Sequence, residues 1–246
     1  ECIIDFGEKG FPGVLVETLA IFINNLSRPS NTRVASITHG KFMIQSQKYI
    51  FDDKLPYWII YRDNEFDSVC KNLDFNVFKV FRDRQITNKL LSPSGDIRVL
   101  KSRNISDDGK NVMDIDGYDS YISYDDAKNL SVYSYLDCNN VYLTPNMTYK
   151  PRMIEKPKEC LVNGSLAVLI PKKGIIPTKE QLAFFSTQEY RNFYQIARNF
   201  QTRSLNVDAC SVFFYGLLRD KAKKSPITEK LDEKENIQIT IFDYVK

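Results

Sequence analysis

Hydrophobic spacing along this chain switches between a helical period and a strand period. From Thr178 to Asn206 the helical period rules. Thr178 with Gln181 and Ser186 with Glu189 both have capping-box spacing, a hydroxyl followed three residues on by a side chain that reaches back, and predict two helix starts. Leu182 and Phe185 share a face of the first, short helix. Phe193, Ile196, Ala197 and Phe200 fall at i, i+3, i+4 and i+7 in the second and predict a core-facing stripe, with Arg191 and Arg198 on the opposite face. Gln201, Thr202, Arg203, Ser204 and Asn206 follow as a polar loop. A solvated surface helix is the plain reading of this stretch; a contact loop mounted on a helix is the other.

Toward the N-terminus the pattern is that of strands. Ile3 and Ile4 mark a short one, Gly7 to Gly13 a loop, and Val14 to Ile23 a long strand apolar on both faces, which needs cover on both sides. Residues 26–40 are polar and read as a loop and boundary. Phe42 to Phe51 reads as strand and turn, Leu55 to Arg62 as a buried stretch with Trp58 in the core, and Glu65 to Phe75 as a weak helix. From Phe78 basic residues alternate with apolar ones. Asp96 to Leu100 rises into a strand in which Arg98 and Leu100 face one way and Val99 and Lys101 the other, with Arg103 and Asn104 at its exit. Further on, Val141–Leu143, Met153–Glu155 and Ser165–Ile170 read as strands. Asn163-Gly164 is the turn between the last of them and the apolar run Cys160–Val162. Ser211 to Leu217 is another strand. Residues 219–246 are a charged connector whose alternating Ile237, Ile239 and Ile241 predict an edge strand.

Composition narrows the classes. With 43% hydrophobic residues in 246, the chain can bury one sizeable core or two modest ones. The net charge of +3 is too small to signal polyanion binding by itself, so any basic surface must arise from local clustering. Five scattered cysteines (Cys2, Cys70, Cys138, Cys160, Cys210) never come in C-x-x-C spacing, which fits reduced thiols in a cytoplasmic protein and argues against a zinc site. His39 is the only histidine, which leaves no Ser-His-Asp machine to build beyond that one residue and no multi-histidine metal centre. No run is long and apolar enough for a membrane helix. The opening at Glu1, straight into an apolar strand, reads as a piece of a longer protein.

Several blocks together carry a resemblance. G-E-K-G-F-P-G-V-L-V-E-T (Gly7 to Thr18), G-D-I-R-V-L-K-S-R-N-I (Gly95 to Ile105), and V-Y-L-T-P-N-M-T-Y-K-P-R (Val141 to Arg152) followed by L-V-N-G-S-L-A-V-L resemble the C-terminal part of N6-adenine DNA methyltransferases of restriction–modification systems. The last two are also similar to target-recognition domains of type I specificity subunits. The resemblance implies an α+β fold: a mixed-sheet target-recognition domain with packed helices (76–218), preceded by a β-strand remnant of an α/β methyltransferase domain (1–75) and followed by the connector (219–246). It implies sequence-specific binding of double-stranded DNA, and partnership with an upstream catalytic domain and a restriction endonuclease. Phe11 falls on the aromatic position that stacks on a flipped adenine, where a π-face returns part of the unstacking cost. The parent enzyme would use S-adenosylmethionine. This fragment would not transfer methyl by itself, because it holds neither a Gly-rich F-x-G-x-G loop nor an N/D-P-P-Y tetrapeptide; Leu55-Pro56-Tyr57 and Thr144-Pro145-Asn146 lack the required Asn or Asp.

Candidate DNA contacts follow from side-chain chemistry. Arg82, Arg84, Lys150 and Arg191 suit phosphate neutralisation. Arg98, Lys101, Arg103, Asn104, Asn146, Tyr149, Arg152, Arg203, Ser204 and Asn206 suit strand-exit and groove contacts, where Arg pairs with guanine O6/N7 and Asn with adenine N6/N7. For any one of them phosphate contact or simple solvation is the alternative. Asp114, Asp116 and Asp119 lack the glycine and bidentate Glu of a calcium loop and are read as surface acids. Two other classes stay open. One is a stand-alone specificity subunit, for which the second recognition half and long helices are missing. The other is a nuclease using Asp52, Asp53, Asp232 and Glu233, for which no paired-strand carboxylate motif is evident.

Overall fold

The computed structural model describes residues 2–26, 29–148, 150–202 and 205–219. Its contacts divide the chain into two compact units: one holds the residues up to Lys71 together with Gln195–Ser204, the other Asn72–Tyr194 and Leu205–Asp220. The secondary structure is mixed, with several short sheets and few helices.

The first unit is built on β1 (Cys2–Gly7), β2 (Thr18–Phe22), β3 (Asn31–Ser36) and β4 (Lys41–Ser46), followed by α1 (Gln47–Ile50) and α2 (Asn64–Asn72). The sheet order is β2-β1-β3-β4, with β1 parallel to β3 and the other pairs antiparallel. β3 lies inside the stretch expected to be a loop. Its inward residues are Thr32, Val34 and Ser36, all buried, and only one of them is apolar, so the hydrophobic pattern did not reveal the strand. The long strand expected over Val14 to Ile23 is short: β2 begins at Thr18 and, among the described residues, forms an edge of the sheet. Phe11, Val14, Leu15, Val16, Leu19, Ile21, Phe22, Ile23 and Leu26 are all exposed. Trp58, expected in the core, is 49% exposed and leans on Phe51 with ring centroids 4.4 Å apart. Its neighbours Ile59, Ile60, Tyr61 and Arg62 are buried as expected.

Two tyrosines of this unit tie its pH response to the fold. Burial first, and then hydrogen bonds to Asp67 and Asp5 respectively, raise the phenol pKa of Tyr49 and Tyr61 above the ordinary 10.0. A group whose folded pKa is raised gives stability that is complete below its unfolded pKa and is lost as pH rises toward the folded one. The part of the stability owed to these tyrosines should therefore hold up to about pH 10 and be lost above it. In Tyr61→Phe the fall should be shallower; thermal melts across the alkaline range, with tyrosinate absorbance recorded in parallel, measure it.

The second unit contains β5 (Leu73–Asp74), β6 (Phe78–Phe81), β7 (Ile97–Leu100), β8 (Ser120–Ile122), α3 (Tyr124–Ala127), β9 (Tyr142–Pro145), β10 (Ile154–Glu155), β11 (Cys160–Val162), β12 (Leu166–Pro171), α4 (Lys179–Phe184), α5 (Gln188–Ala197) and β13 (Leu217–Leu218). Three-residue to five-residue 3-10 turns at Asn88–Leu90, Ser102–Asn104, Ser131–Tyr135 and Ser211–Phe214 link them. One sheet has the order β10-β9-β12-β6, all antiparallel; a second has β11-β7-β8; β13 pairs with β5. Val99, Leu100, Ile122, Leu143, Leu161, Val162, Leu166 and Val168 from the first two sheets form one buried cluster. The Asn163-Gly164 turn is present, but it passes the chain from one sheet to the other instead of closing a hairpin, because β11 pairs in parallel with β7. Ser211–Phe214 is a 3-10 turn where a strand was expected.

α4 has the predicted capping box: Thr178 Oγ1 accepts from the Gln181 N–H while Gln181 Oε1 accepts from the Thr178 N–H. α5 starts one residue later than expected. Thr187, not Ser186, accepts from the Tyr190 N–H at 3.2 Å. Adjacent hydroxyls compete for the cap, and the second wins. Phe193, Ile196 and Ala197 are buried as the stripe predicts. Phe200 is not on it. Asn199 and Phe200 take positive φ, and the bonds Phe200 N–H to Gln195 O and Asn199 N–H to Ile196 O close a Schellman turn with Asn in the position glycine usually fills. The expected connector and edge strand over Ile237 to Ile241 lie outside the described residues.

Candidate nucleic-acid interface

Strand direction gathers the basic loops of the second unit. β6 and β9 both run antiparallel to β12, so the ends Phe81 and Pro145 both lie toward the start of β12. β7 runs parallel to β11, so Leu100 ends beside Val162, and the Asn163–Ser165 turn leads from there into β12. The chain segments leaving β6, β7 and β9 therefore emerge at one end of the unit. They carry Arg82 and Arg84; Lys101, Arg103 and Asn104; and Asn146, Lys150 and Arg152.

Hydrogen bonds stitch these exits together. Asn146, 5% exposed, donates from Nδ2 to Gly164 O (3.1 Å) and to Asn206 Oδ1 (2.9 Å) and accepts at Oδ1 from the Val207 N–H (3.0 Å) and Arg82 Nη1 (3.5 Å). Arg152, 8% exposed, donates to the carbonyls of Lys150, Ser102 and Ile105. Ser165 Oγ accepts from the Ser102 N–H at 3.0 Å. Gly164 passes so close to the chain leaving β6 that a Cβ there would sit 2.8 Å from Asp83 O, which only glycine tolerates. Ser102, Gly164 and Ser165 were missed as members of the site. The N-G-S turn was a usable signal for the last two; nothing in the sequence marks Ser102.

Burial corrects the expected division of labour. Asn104 is 0% exposed, its amide donating to Met113 O and Asp119 and accepting from the Lys101 N–H, so it cannot reach a groove. Asn146 and Arg152 are buried in the same way. Arg98 is spent on Asp114 (2.6 Å) and Asp119 (2.7 Å), a partly buried ion pair network that also accounts for two of the acids read as a surface loop. Lys101 folds inward: its Nζ donates to Tyr118 O and Ser120 Oγ, and burial lowers its pKa. Asn206 is half-buried against Asn146. What stays outward is Arg84, Arg103 and Lys150, all exposed, with Arg82 half-buried behind them. Arg103 lies over the Tyr118 ring, 4.7 Å from its centroid, and Arg152 fixes the backbone carbonyl of Lys150. Arg191, on α5, is half-buried. Tyr149, Arg203 and Ser204 lie outside the described residues.

In the first unit Phe11 is 57% exposed in the irregular stretch between β1 and β2. A Cβ on Gly7 or Gly10 would collide with Thr38 Oγ1 or Thr18 Oγ1, so these glycines make room for the unit's own threonines. Of the carboxylates considered for a nuclease, Asp52 is paired with Arg62 at 2.8 Å, and Asp232 and Glu233 lie outside the described residues. Among the described residues no group of three or more His, Cys, Asp or Glu could hold a metal ion, and no helix is long and apolar enough to cross a membrane. No protein-family model matches the chain, and no curated protein matches it in sequence.

Proposed function

We propose that this chain binds double-stranded DNA in a sequence-specific way, as the target-recognition part of an adenine-N6 DNA methyltransferase whose catalytic domain and S-adenosylmethionine site lie elsewhere. The observation that carries the reading is the gathering of the β6, β7 and β9 exits at one end of the second unit, with Arg84, Arg103 and Lys150 outward and Asn104, Asn146 and Arg152 buried beneath them. Buried amides and a buried guanidinium fix the loops, so little ordering entropy remains to be lost on binding. Outward cations on fixed loops supply phosphate contacts, and Arg103, held against Tyr118, is the one best set to reach guanine. Phe11, exposed and mounted between two strands of the first unit, suits stacking on an extruded adenine in the intact enzyme.

Duplex titrations at several salt concentrations test this. The slope of log affinity against log salt should drop by about 0.9 for each phosphate contact removed. Arg84→Ala and Lys150→Ala should each produce that drop for every sequence alike. Arg103→Ala should weaken one sequence more than random duplex. Salt-independent binding, or none to any duplex, would overturn the proposal.

A further inference from the structure

The sheet of the first unit carries an apolar run that the DNA-binding reading does not use. Every large apolar side chain from Val14 to Leu26 is exposed, from 44% at Ile21 to 97% at Leu26. Together they present on the order of 800 Å² of apolar surface, more than the largest patch of an ordinary monomer and close to what each partner gives to a standard interface. Glu17 is the only charged residue between Gly10 and Leu26. Its Oε1 accepts from the Thr202 N–H and from Thr202 Oγ1 at 3.0 Å. The one charge of the run is thus occupied within the unit, and the rest has the charge depletion that marks the middle of an interface.

Within the run, β2 supplies a backbone edge. One side of it pairs with β1, from Cys2 opposite Phe22 to Asp5 opposite Leu19, and among the described residues no strand lies on its other side. Proteins ordinarily blunt such an edge with a lysine, a proline or an inward charge, and Thr18–Phe22 contains none of these. The same composition narrows the choice of partner. When a strand pairs with its own copy about a two-fold axis, any charge near the axis meets its twin and is repelled. T-L-A-I-F has no such charge. With the axis at Ala20, Leu19 faces Ile21 of the second copy, and this contact occurs twice. Ile21 stands opposite Ile3, and Ile3 opposite Val34, both buried, so the face that carries Leu19 and Ile21 continues the unit's own core. Pairing would extend that core across the axis.

We infer that a second copy of this chain pairs antiparallel with β2 about a two-fold axis at Ala20. The pairing joins two four-stranded sheets into one continuous sheet and covers the apolar run of both copies. It stands independently of DNA binding.

Sedimentation velocity of the full, nucleic-acid-free chain over a range of concentrations measures the association. Wild type should pass from 28.5 kDa to twice that mass and stop there. Leu19→Lys and Ile21→Glu should each raise the dimer Kd about tenfold or more, because each sets an unpaired charge against an apolar neighbour. The double variant Leu19→Lys/Ile21→Glu places lysine opposite glutamate on both sides of the axis and should recover most of the lost affinity. Ile176→Lys, at a 79% exposed position of the second unit, should leave the Kd unchanged. Leu19 and Ile21 are exposed in the single chain, so melts of the dilute monomer should stay near wild type and separate lost pairing from misfolding. A wild type that remains at 28.5 kDa at every concentration, or that grows past two copies, would overturn the dimer. Weakening by Ile176→Lys equal to that by Leu19→Lys would overturn it as well. Two weakened single variants with a double variant that fails to recover would overturn the pairing at Ala20.

Discussion

Arg62→Ala should cost the first unit about 3–5 kcal/mol, the range for removing one member of a buried ion pair. The guanidinium is 7% exposed and holds three groups at once: Asp67 through Nε at 2.8 Å, Asp52 through Nη1 at 2.8 Å, and Tyr49 O at 3.1 Å. It also lies over the Tyr49 ring, 4.2 Å from the centroid. Burial by itself would lower its pKa, but the hydrogen bonds to Asp67 and Asp52 outweigh that and the net shift is upward. Alanine leaves two carboxylates facing each other with Tyr49 already donating to one of them. Arg62→Lys should fall between, since an ammonium keeps the charge but not the fork. Urea unfolding of the three proteins measures the order. An alanine variant within about 1 kcal/mol of wild type would mean that the cluster is a solvated pair worth little.

Asn146→Ala should cost about 2–4 kcal/mol and reduce duplex affinity at least tenfold on the proposed reading. The side chain uses both amide hydrogens and both lone pairs, and the Val207 N–H it serves belongs to a residue with no exposed surface. Leaving such a donor buried and unpaired carries the main cost. The affinity loss has a separate cause: Arg82, the Gly164 turn and Asn206 lose the atom that joins them. Asn146→Asp distinguishes the two effects. It keeps the acceptors for Val207 and Arg82 but turns the two donated bonds into repulsion against Gly164 O and Asn206 Oδ1. Chemical unfolding and anisotropy, both run well below the melting midpoint, give the two numbers independently.

The sequence revealed this fold unevenly, for identifiable reasons. β9 and β12 were legible, and the short run that becomes β11 was seen as apolar, because Leu143, Leu161, Val162 and Leu166 to Leu169 are apolar and buried. The α4 cap was legible because both halves of its motif are present. β3 was not, since polar Thr32 and Ser36 occupy inward positions, and β2 was read too long because the run Val14 to Ile23 stays apolar whether or not it is paired. Trp58 was misplaced on residue type alone. At the candidate interface the strand exits were visible as basic loops, but residue type could not tell Arg103, which points outward, from Arg98 and Arg152, which satisfy partners inside. That distinction depends on carbonyls and carboxylates as distant in sequence as Ser102 and Asp119, which only tertiary structure brings near.

The outer strand of the first sheet has a practical consequence. Among the described residues no strand lies on the outer side of β2, Leu19 and Ile21 are exposed along it with Ile23 and Leu26 beyond, and no charged residue interrupts Thr18–Phe22. Such a margin recruits any extended chain that drifts past, including its own kind. Handling the protein at high concentration therefore favours sheet growth from that side, and a lysine introduced at Leu19 or Ile21 is the gentlest way to stop it.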